Sequence, residues 1–291
     1  MTERVARGAL AAWAHREPGA GGLFHTVDAV DLGDGRPPRT LHVYQPDPDR
    51  DDAPVLLLLD GDVAFWRGGP ANATWDAARV ADRSRARPVV VALRPVDRNA
   101  EYTHTDWAHG ERSWGGLPTF AEGVAERVVP LVASAFGLRP RGWGVGGSSH
   151  GGLAAFWLAT RHPDRFSEGI ALSASFFSGL DSLRDGGLRG AARLSHAAIV
   201  TGADALLRDR SRRPRLWLSW GSRRDGGEHN RVVEALAAWR GQEMVELLRG
   251  AYGYDRTELR AWVDPLGGHD EAAWSWQLAL AIDALWRPVA R

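Results

Sequence analysis

The chain has 291 residues, 44% of them hydrophobic and 25% charged, and its 36 basic residues balance its 36 acidic ones. This balance argues against a nucleic-acid or anionic-membrane partner, because both depend on a surplus of positive charge. The absence of cysteine excludes disulfides, thiolate metal sites and cysteine nucleophiles. No stretch resembles a signal segment or the roughly 20 apolar residues of a membrane span. We therefore expect a soluble, cytoplasmic protein.

The chain begins with segments that do not follow a strand–helix alternation. Residues 1–18 predict a short amphipathic helix. Residues 23–32 and 39–44 then predict two strands joined by a turn at residues 33–36, where glycine and aspartate cluster. The polar, proline-bounded stretch at residues 46–54 is typical of a loop between strands.

Beyond residue 54, strands alternate with helices. Strands are predicted at residues 55–59, 88–93, 142–147, 170–173, 216–220 and 259–263. Helices are predicted at residues 75–81, 120–135, 152–160, 230–239 and 270–286. Apolar runs such as VLLLL are typical of strands buried on both faces of a parallel sheet, and the alternation predicts an α/β fold with helices around a mostly parallel sheet. We expect one domain over residues 1–291, with residues 177–213 as a cap-like insertion over the carboxyl ends of the strands.

Ser149 is the candidate nucleophile, in the sequence GSSHG at residues 147–151. The Gly-x-Ser-x-Gly pattern is meaningful only between a strand and a helix, where the serine occupies a sharp turn. A predicted strand precedes this serine and a predicted helix follows it, and only Ser149, not Ser148, has glycine on both sides at the required distance. The backbone N–H of His150 would face an oxyanion at the helix N-terminus. A glycine-rich turn without chemistry is the alternative.

The same stretch formally contains a dinucleotide-binding fingerprint in Gly142, Gly144 and Gly147. That fingerprint requires a strand before its first glycine. Residues 138–141 read LRPR and do not predict one. The dinucleotide interpretation is therefore weak, and no cofactor is expected.

His269 is the candidate general base, because it follows the last predicted strand and the loop PLGG and precedes the final helix. The order serine, acid, histidine is that of α/β-hydrolases. A neutral imidazole there would take the Ser149 proton and return it to the leaving group. A helix-capping or surface histidine is the alternative.

The acid that orients His269 is expected in the loop after the strand at residues 216–220. Asp225 and Glu228 both qualify, and Asp225 is preferred because it lies nearer the strand end. The second oxyanion donor is expected after the strand at residues 55–59, where the sequence DGD makes the N–H of Asp62 the candidate.

Other histidines carry less chemistry. His104 and His109 frame a loop with Asp106, but this spacing has no strong metal signature, and solvated loop residues are the preferred interpretation. His162 precedes a proline at a predicted helix end and is interpreted as structural. No metal site is predicted.

Five motifs occur together in order: LLDGD at 58–62, RNAEY at 98–102, GSSHGGL at 147–153, RHPDRF at 161–166 and GGHD at 267–270. Over residues 41–285 the chain resembles the putative-esterase (esterase D) family of α/β-hydrolases, in its enterochelin esterase-like branch. The resemblance implies an α/β-hydrolase fold and ester substrates, including siderophore trilactones. It also implies a substrate-site role for Arg98 and Glu101, although these residues fit an ion pair that braces a loop equally well. Because only about forty residues precede the predicted strands, we expect no counterpart of the separate N-terminal domain of full-length enterochelin esterases, and the acid loop does not align cleanly.

Three functions follow as hypotheses. The first is hydrolysis of a carboxylic ester through an acyl-Ser149 intermediate, with a ferric siderophore or related ester as the small-molecule partner. Trp66, Trp107 and Trp114, in predicted loops, are candidates to line a site for aromatic groups. The second is acyl transfer or macrolactone formation on the same triad. The third is a non-catalytic binding protein on a hydrolase scaffold.

Overall fold

The structure, a computed structural model, describes residues 2–68, 72–107, 114–140, 142–180, 193–223 and 231–286. The strands are β1 (Glu3–Arg7), β2 (Leu10–His15), β3 (Gly22–Val30), β4 (Arg39–Pro46), β5 (Val55–Leu59), β6 (Val89–Leu93), β7 (Trp143–Ser148), β8 (Phe166–Leu172), β9 (Arg215–Gly221) and β10 (Leu259–Asp264). The helices are α1 (Gly61–Phe65), α2 (Ala77–Arg83), α3 (Arg98–Tyr102), α4 (Leu117–Gly123), α5 (Val129–Phe136), α6 (His150–Arg161), α7 (Ala198–Thr201), α8 (Asp204–Arg208), α9 (Arg231–Gly250) and α10 (Glu271–Leu285). A π-helical turn, Val124–Val128, joins α4 to α5.

The described strands form one sheet in the order β1-β2-β3-β4-β6-β5-β7-β8-β9-β10. Strands β1 to β4 pair antiparallel, and β4 pairs antiparallel with β6. From β6 to β10 every neighbouring pair is parallel. This mostly parallel sheet confirms the predicted fold class.

Both faces of the parallel strands are covered, and this explains their continuous apolar sequences. In β5, Leu57 and Leu59 belong to the core cluster on the α4, α5, α6 and α9 side. Leu56 and Leu58 belong to the cluster on the α2 and α10 side. No helix of the described residues has the combined length and apolarity that a membrane crossing requires.

The prediction of an N-terminal helix is wrong. Residues 3–15 form an antiparallel hairpin, β1 and β2, with a two-residue turn in which Gly8 takes a positive φ of 58°. In β2, Ala12 and Ala14 are buried and alternate with exposed Ala11 and Trp13. Alanine and arginine favour helices intrinsically, but pairing with the edge of β3 overrides that preference.

The predicted cap-like insertion over residues 177–213 divides into parts with different surroundings. At its start, Phe177 packs against Trp107, and Ser178 Oγ lies 3.3 Å from His150 Nε2. Residues 181–192 lie outside the described residues. Residues 193–213 include α7 and α8, and Arg161, at the last turn of α6, donates hydrogen bonds to the carbonyl oxygens of Ala198 and Ile199. Residues 193–213 therefore pack against the end of α6 that is remote from Ser149. Their apolar residues, among them Ile199 and Leu207, join the main core.

A buried carboxyl on β8 makes stability depend on pH. Glu168 is 2% exposed and pairs across the sheet with Arg215 of β9. Burial raises the pKa of Glu168 to about 7, and Arg215 opposes this only in part. In the unfolded chain the same carboxyl titrates near 4.5. The folded state therefore binds more protons between these values, and its stability falls as pH rises from 4.5 to 7.

We predict that Glu168→Gln flattens this dependence, because a neutral amide needs no proton to be buried. The wild type should lose roughly 3 kcal/mol of unfolding free energy from this group between pH 5 and pH 8. Urea denaturation at both pH values measures the loss, with the exposed pair member Glu126→Gln as control. An equal slope in wild type and Glu168→Gln would contradict the assignment.

Candidate active site

The candidate residues follow the carboxyl ends of neighbouring parallel strands. Asp60 follows β5, Ser149 follows β7, and His269 lies in the loop after β10. The chain leaves β5 for β6 on one side and returns to β7 on the other. In open α/β sheets, the crevice at such a reversal of strand order is where ligands bind. The two segments predicted to form the oxyanion site therefore flank this crevice.

Ser149 occupies a strained turn between β7 and α6. Its backbone has φ 53° and ψ −118°, a conformation that residues other than glycine rarely adopt. The turn is held on both sides, because Ser149 N–H donates to the carbonyl of Leu172 at 2.9 Å and Ser175 N–H donates to the carbonyl of Ser149 at 2.9 Å. The strand–turn–helix geometry required of a nucleophile elbow is present.

Glycines permit the close approach of strand and helix at this turn. A Cβ on Gly147 would lie 2.2 Å from the carbonyl oxygen of Gly151, and one on Gly152 would lie 3.1 Å from Cα of Ala174. Gly144 and Gly147 belong to β7 itself. These glycines therefore cannot form the phosphate loop of a dinucleotide site, and the fingerprint is coincidental.

A second serine contacts the hydroxyl of Ser149. The Oγ atoms of Ser149 and Ser175 are 3.1 Å apart, and both residues are buried. Ser175 belongs to the loop after β8, whose Ser173 also accepts a hydrogen bond from Trp274 Nε1 at 3.2 Å. This loop thus links the turn at Ser149 to α10.

Arg98 connects the loop after β5 to the turn at Ser149 through hydrogen bonds. Its Nε and an Nη atom donate to the two carboxylate oxygens of Asp60 at 2.6 and 2.7 Å, and the same Nη atom contacts the carbonyl of Ser148 at 3.2 Å. Burial opposes the charge of Arg98, but Asp60 outweighs it and raises the pKa of Arg98. Tyr102 adds a contact by accepting from the N–H of Asp60 at 3.0 Å.

Glu101 lies in a different network. It is 1% exposed, pairs with Arg39 at 3.2 Å, and accepts from the backbone N–H groups of Val96 and Asp97 at 3.1 and 2.9 Å. These contacts stabilise the turn before α3 and favour the bracing interpretation of Glu101 over a substrate contact. Arg98, 36% exposed at the crevice, has both a bracing role and an accessible surface.

The segment that contains Asp62 turns sharply after β5. Asp60 has a positive φ of 68°, and α1 begins at the next residue. A Cβ on Gly61 would lie 2.7 Å from the backbone of Leu93, so this position requires glycine. Asp62 and His150 each lie in the first turn of a helix, α1 and α6 respectively, where N–H groups have no acceptor within the helix.

His269 is buried directly before α10. Asp264, the last residue of β10, accepts from the N–H groups of Leu266 and Gly267 at 3.0 and 2.9 Å and so shapes the loop. The ring of Trp274 contacts the imidazole edge to face, with centroids 5.1 Å apart. These contacts fix the position of His269 from both sides.

The predicted acids Asp225 and Glu228 lie outside the described residues. The segment immediately before them is described and runs along the His269 loop. Ser222 Oγ donates to the carbonyl of Pro265 at 2.8 Å, and Arg223 N–H donates to that of Gly267 at 3.1 Å.

The structure brings a third carboxylate, Glu234 of α9, to His269. Both residues line one small, narrow cavity, together with Ser173 and Trp220. Glu234 is 4% exposed, and its Oε2 has no hydrogen-bond partner among the described residues. The sequence pattern alone did not single out Glu234. The signal in the sequence was its position in an otherwise apolar helical stripe with Ala237, Gly241 and Met244. A carboxylate is rarely buried unless it has a partner.

A connected series of aromatic contacts begins at His150. Trp114 contacts the imidazole of His150 edge to face at 5.6 Å, Trp107 contacts Trp114 at 5.2 Å, and Phe177 contacts Trp107 at 6.2 Å. Burial, aided by the charge of Arg98, lowers the pKa of His150 to about 3, so this ring is neutral at neutral pH. Trp66, the third tryptophan predicted to line the site, instead packs against Phe24 and His42 on the antiparallel side of the sheet.

The other histidines considered from the sequence, His104 and His162, are not brought to Ser149 by any contact among the described residues. His104 is tilted against Trp157 with ring centroids 5.6 Å apart, and burial lowers its pKa to about 4. Its predicted partner His109 lies outside the described residues. In the described ranges, no three histidine, aspartate or glutamate side chains are arranged to hold a metal ion. His162 ends α6 and donates its N–H to the carbonyl of Leu158 at 2.9 Å.

Comparison with known proteins agrees with this geometry. The sequence model of the family described as putative esterase matches residues 36–285, most of the chain. The MPT51/MPB51 antigen of Mycobacterium tuberculosis is 31% identical over 165 residues, 55% of this chain and 51% of that protein. The match thus spans about half the length of the mycobacterial relative.

Solved structures share the fold at low sequence identity. The enterochelin esterase of Shigella flexneri superimposes with a TM-score of 0.63 at 18% identity, covering 95% of this chain and 61% of that one. The siderophore hydrolase EstB of Aspergillus nidulans has a TM-score of 0.60 at 20% identity, covering 95% of this chain and 98% of that one. These likenesses establish an α/β-hydrolase fold.

Proposed function

Because the chain belongs to the putative-esterase family, we propose that it is a serine esterase that cleaves a carboxylic ester through an acyl-Ser149 intermediate. The observation that carries this proposal is the strained backbone of Ser149 between β7 and α6. Residues held in sparsely populated backbone conformations cluster at active sites, where the surrounding structure maintains the strain.

The proposed first step is attack of Ser149 Oγ on the ester carbonyl. His269 takes the hydroxyl proton as the bond forms, and then returns it to the alcohol as that group leaves. The N–H groups of Asp62 and His150 stabilise the oxyanion of the tetrahedral intermediate. Water then attacks the acyl group with His269 again as base, which releases the carboxylic acid and restores Ser149.

The acid of the triad is one of three carboxylates. Asp225 and Glu228 remain the candidates from the loop, supported by the hydrogen bonds of residues 222 and 223 to the His269 loop. Glu234 is the candidate that we favour, because its buried carboxylate shares a cavity with His269. A buried carboxylate is stabilised by a positive imidazolium, which is the species that His269 becomes during catalysis.

For the substrate, we propose an ester with an aromatic acyl or alcohol group. The partly exposed rings of Trp107 and Trp114 beside His150 support this choice, since aromatic rings pack favourably against one another. Two of the structurally similar proteins are an enterochelin esterase and a siderophore hydrolase. A trilactone siderophore is therefore the first compound to test.

The decisive experiment is a substrate panel read by mass spectrometry. The protein is incubated with a trilactone siderophore, aryl esters and short-chain alkyl esters, and an acyl adduct is sought on the peptide that carries Ser149. We expect aryl-ester or trilactone turnover and an adduct at Ser149. Turnover of short alkyl esters alone would exclude the siderophore substrate, and products that need an added alcohol would indicate acyl transfer.

We predict that Arg98→Lys lowers kcat about 100-fold, as removal of one oxyanion donor does. Lysine keeps the charge but cannot make the two parallel contacts to Asp60 while reaching the carbonyl of Ser148. The loop with Asp62 and the turn with His150 would then lose their mutual alignment.

Steady-state kinetics of Arg98→Lys separate alignment from substrate binding. A fall in kcat with little change in KM supports alignment, and a rise in KM at unchanged kcat would assign Arg98 to substrate binding instead. Arg165→Lys, an exposed ion-pair member remote from the crevice, serves as the matched control.

A further inference from the structure

A groove of about 500 Å³ lies at the open edge of the sheet, away from Ser149. Its floor includes Trp217, near the start of β9, and Leu259, the first residue of β10. One wall is formed by Leu280 and Ala284 from the second half of α10. These residues lie toward the amino ends of the parallel strands, whereas the candidate active site lies at their carboxyl ends.

The groove exists because β10 is an edge strand that α10 covers only in part. Arg260 pairs in register with Trp217, and Trp262 with Ser219, so the four side chains share one face of the sheet. Ser219 is hydrogen-bonded to Gln277 of α10, which identifies this face as the α10 side. Trp262 remains 38% exposed at the groove.

Three arginines, Arg249, Arg256 and Arg260, line the groove. None of them forms an ion pair with a carboxylate in the part of the chain that the structure describes. The neighbouring arginines of β9 and the loop before it behave differently, because Arg213 pairs with Glu258 and Arg215 pairs with Glu168. Uncompensated guanidinium groups around one groove repel one another, and an anion between them would relieve the repulsion.

The floor supplies a second polar group without a partner. Trp217 is 6% exposed, and its indole N–H has no acceptor among the described residues. Buried N–H donors are nearly always paired, so this indole marks an incompletely satisfied part of the groove floor.

We propose that this groove binds a small organic anion that carries an aromatic ring. Its carboxylate or sulfonate would contact the arginines, whose planar guanidinium groups suit such oxygens. Its ring would pack on Trp217 and Trp262 beside the apolar wall of α10. The site is independent of the chemistry proposed for Ser149.

Anilinonaphthalene sulfonate, which joins a sulfonate to fused aromatic rings, is the probe for this site. The full-length protein is first treated with a fluorophosphonate so that dye bound near Ser149 is reduced, and dye fluorescence is then titrated. We expect saturable binding that weakens about tenfold in the double variant Arg256→Ala/Arg260→Ala, since two ionic contacts are lost. The control double variant Arg85→Ala/Arg139→Ala removes two exposed arginines outside the groove and should bind as the wild type does.

Three results would overturn the proposal. Equal dye affinity in the two double variants would show that the groove arginines do not bind the anion. Equal binding of the uncharged N-phenylnaphthylamine would show that apolar contact suffices. A change of oligomeric state in Arg256→Ala/Arg260→Ala, measured by analytical ultracentrifugation, would show that a second copy of the chain occupies the groove.

Discussion

Replacing Ser149 with alanine is expected to lower ester turnover by roughly 10⁶-fold, the loss seen when a serine protease loses its nucleophile. The proposed mechanism has no other route to an acyl-enzyme, and the N–H groups of Asp62 and His150 would retain only the part of catalysis that comes from oxyanion stabilisation. The same substitution should abolish labelling by a fluorophosphonate, read as the mass of the intact protein.

Ser148→Ala is the matched comparison, because it removes a hydroxyl from the adjacent residue while its carbonyl contact to Arg98 stays in place. We expect this variant to label and to keep most of its turnover. Loss of labelling in Ser148→Ala with retention in Ser149→Ala would move the nucleophile by one residue and refute the elbow assignment.

Glu234→Gln is expected to lower kcat about 10⁴-fold, as replacement of a triad aspartate by its amide does. An amide keeps the size of the carboxylate but cannot stabilise a positive imidazolium, and it can hold His269 in the wrong tautomer. The comparison variants are Asp225→Asn and Glu228→Gln, and we expect each of these to lower kcat far less.

Glu246→Gln on the same helix controls for the chemistry of the substitution, because Glu246 is exposed and its carboxylate accepts a hydrogen bond from the side chain of Gln242. A loss in Asp225→Asn or Glu228→Gln that exceeds the loss in Glu234→Gln would return the acid to the loop. Thermal unfolding of each variant separates a catalytic loss from a folding defect.

Most of the fold could be predicted because its signals are local. The run VLLLL predicted β5 at residues 55–59, the range that the structure shows. The N-terminal hairpin escaped prediction because its residues favour a helix when considered alone, and only the neighbouring edge of β3 makes the extended form better. The cap-like insertion stays a prediction for residues 181–192, which lie outside the described residues, whereas the apolar patches around Ile199 and Leu207 in its second half join the main core.

The amino-acid sequence by itself determined the family, the turn that carries Ser149 and the position of His269 after the last strand. These features depend on glycines and strand ends within a few residues of the reactive side chain, so they can be read along the chain. Only the tertiary structure showed that Arg98 joins Asp60 to the carbonyl of Ser148 and that Glu234 shares a cavity with His269. Arg98 and Asp60 are 38 residues apart, and contacts at such separations depend on how the strands are ordered in the sheet, which the local pattern of apolar and polar residues does not specify.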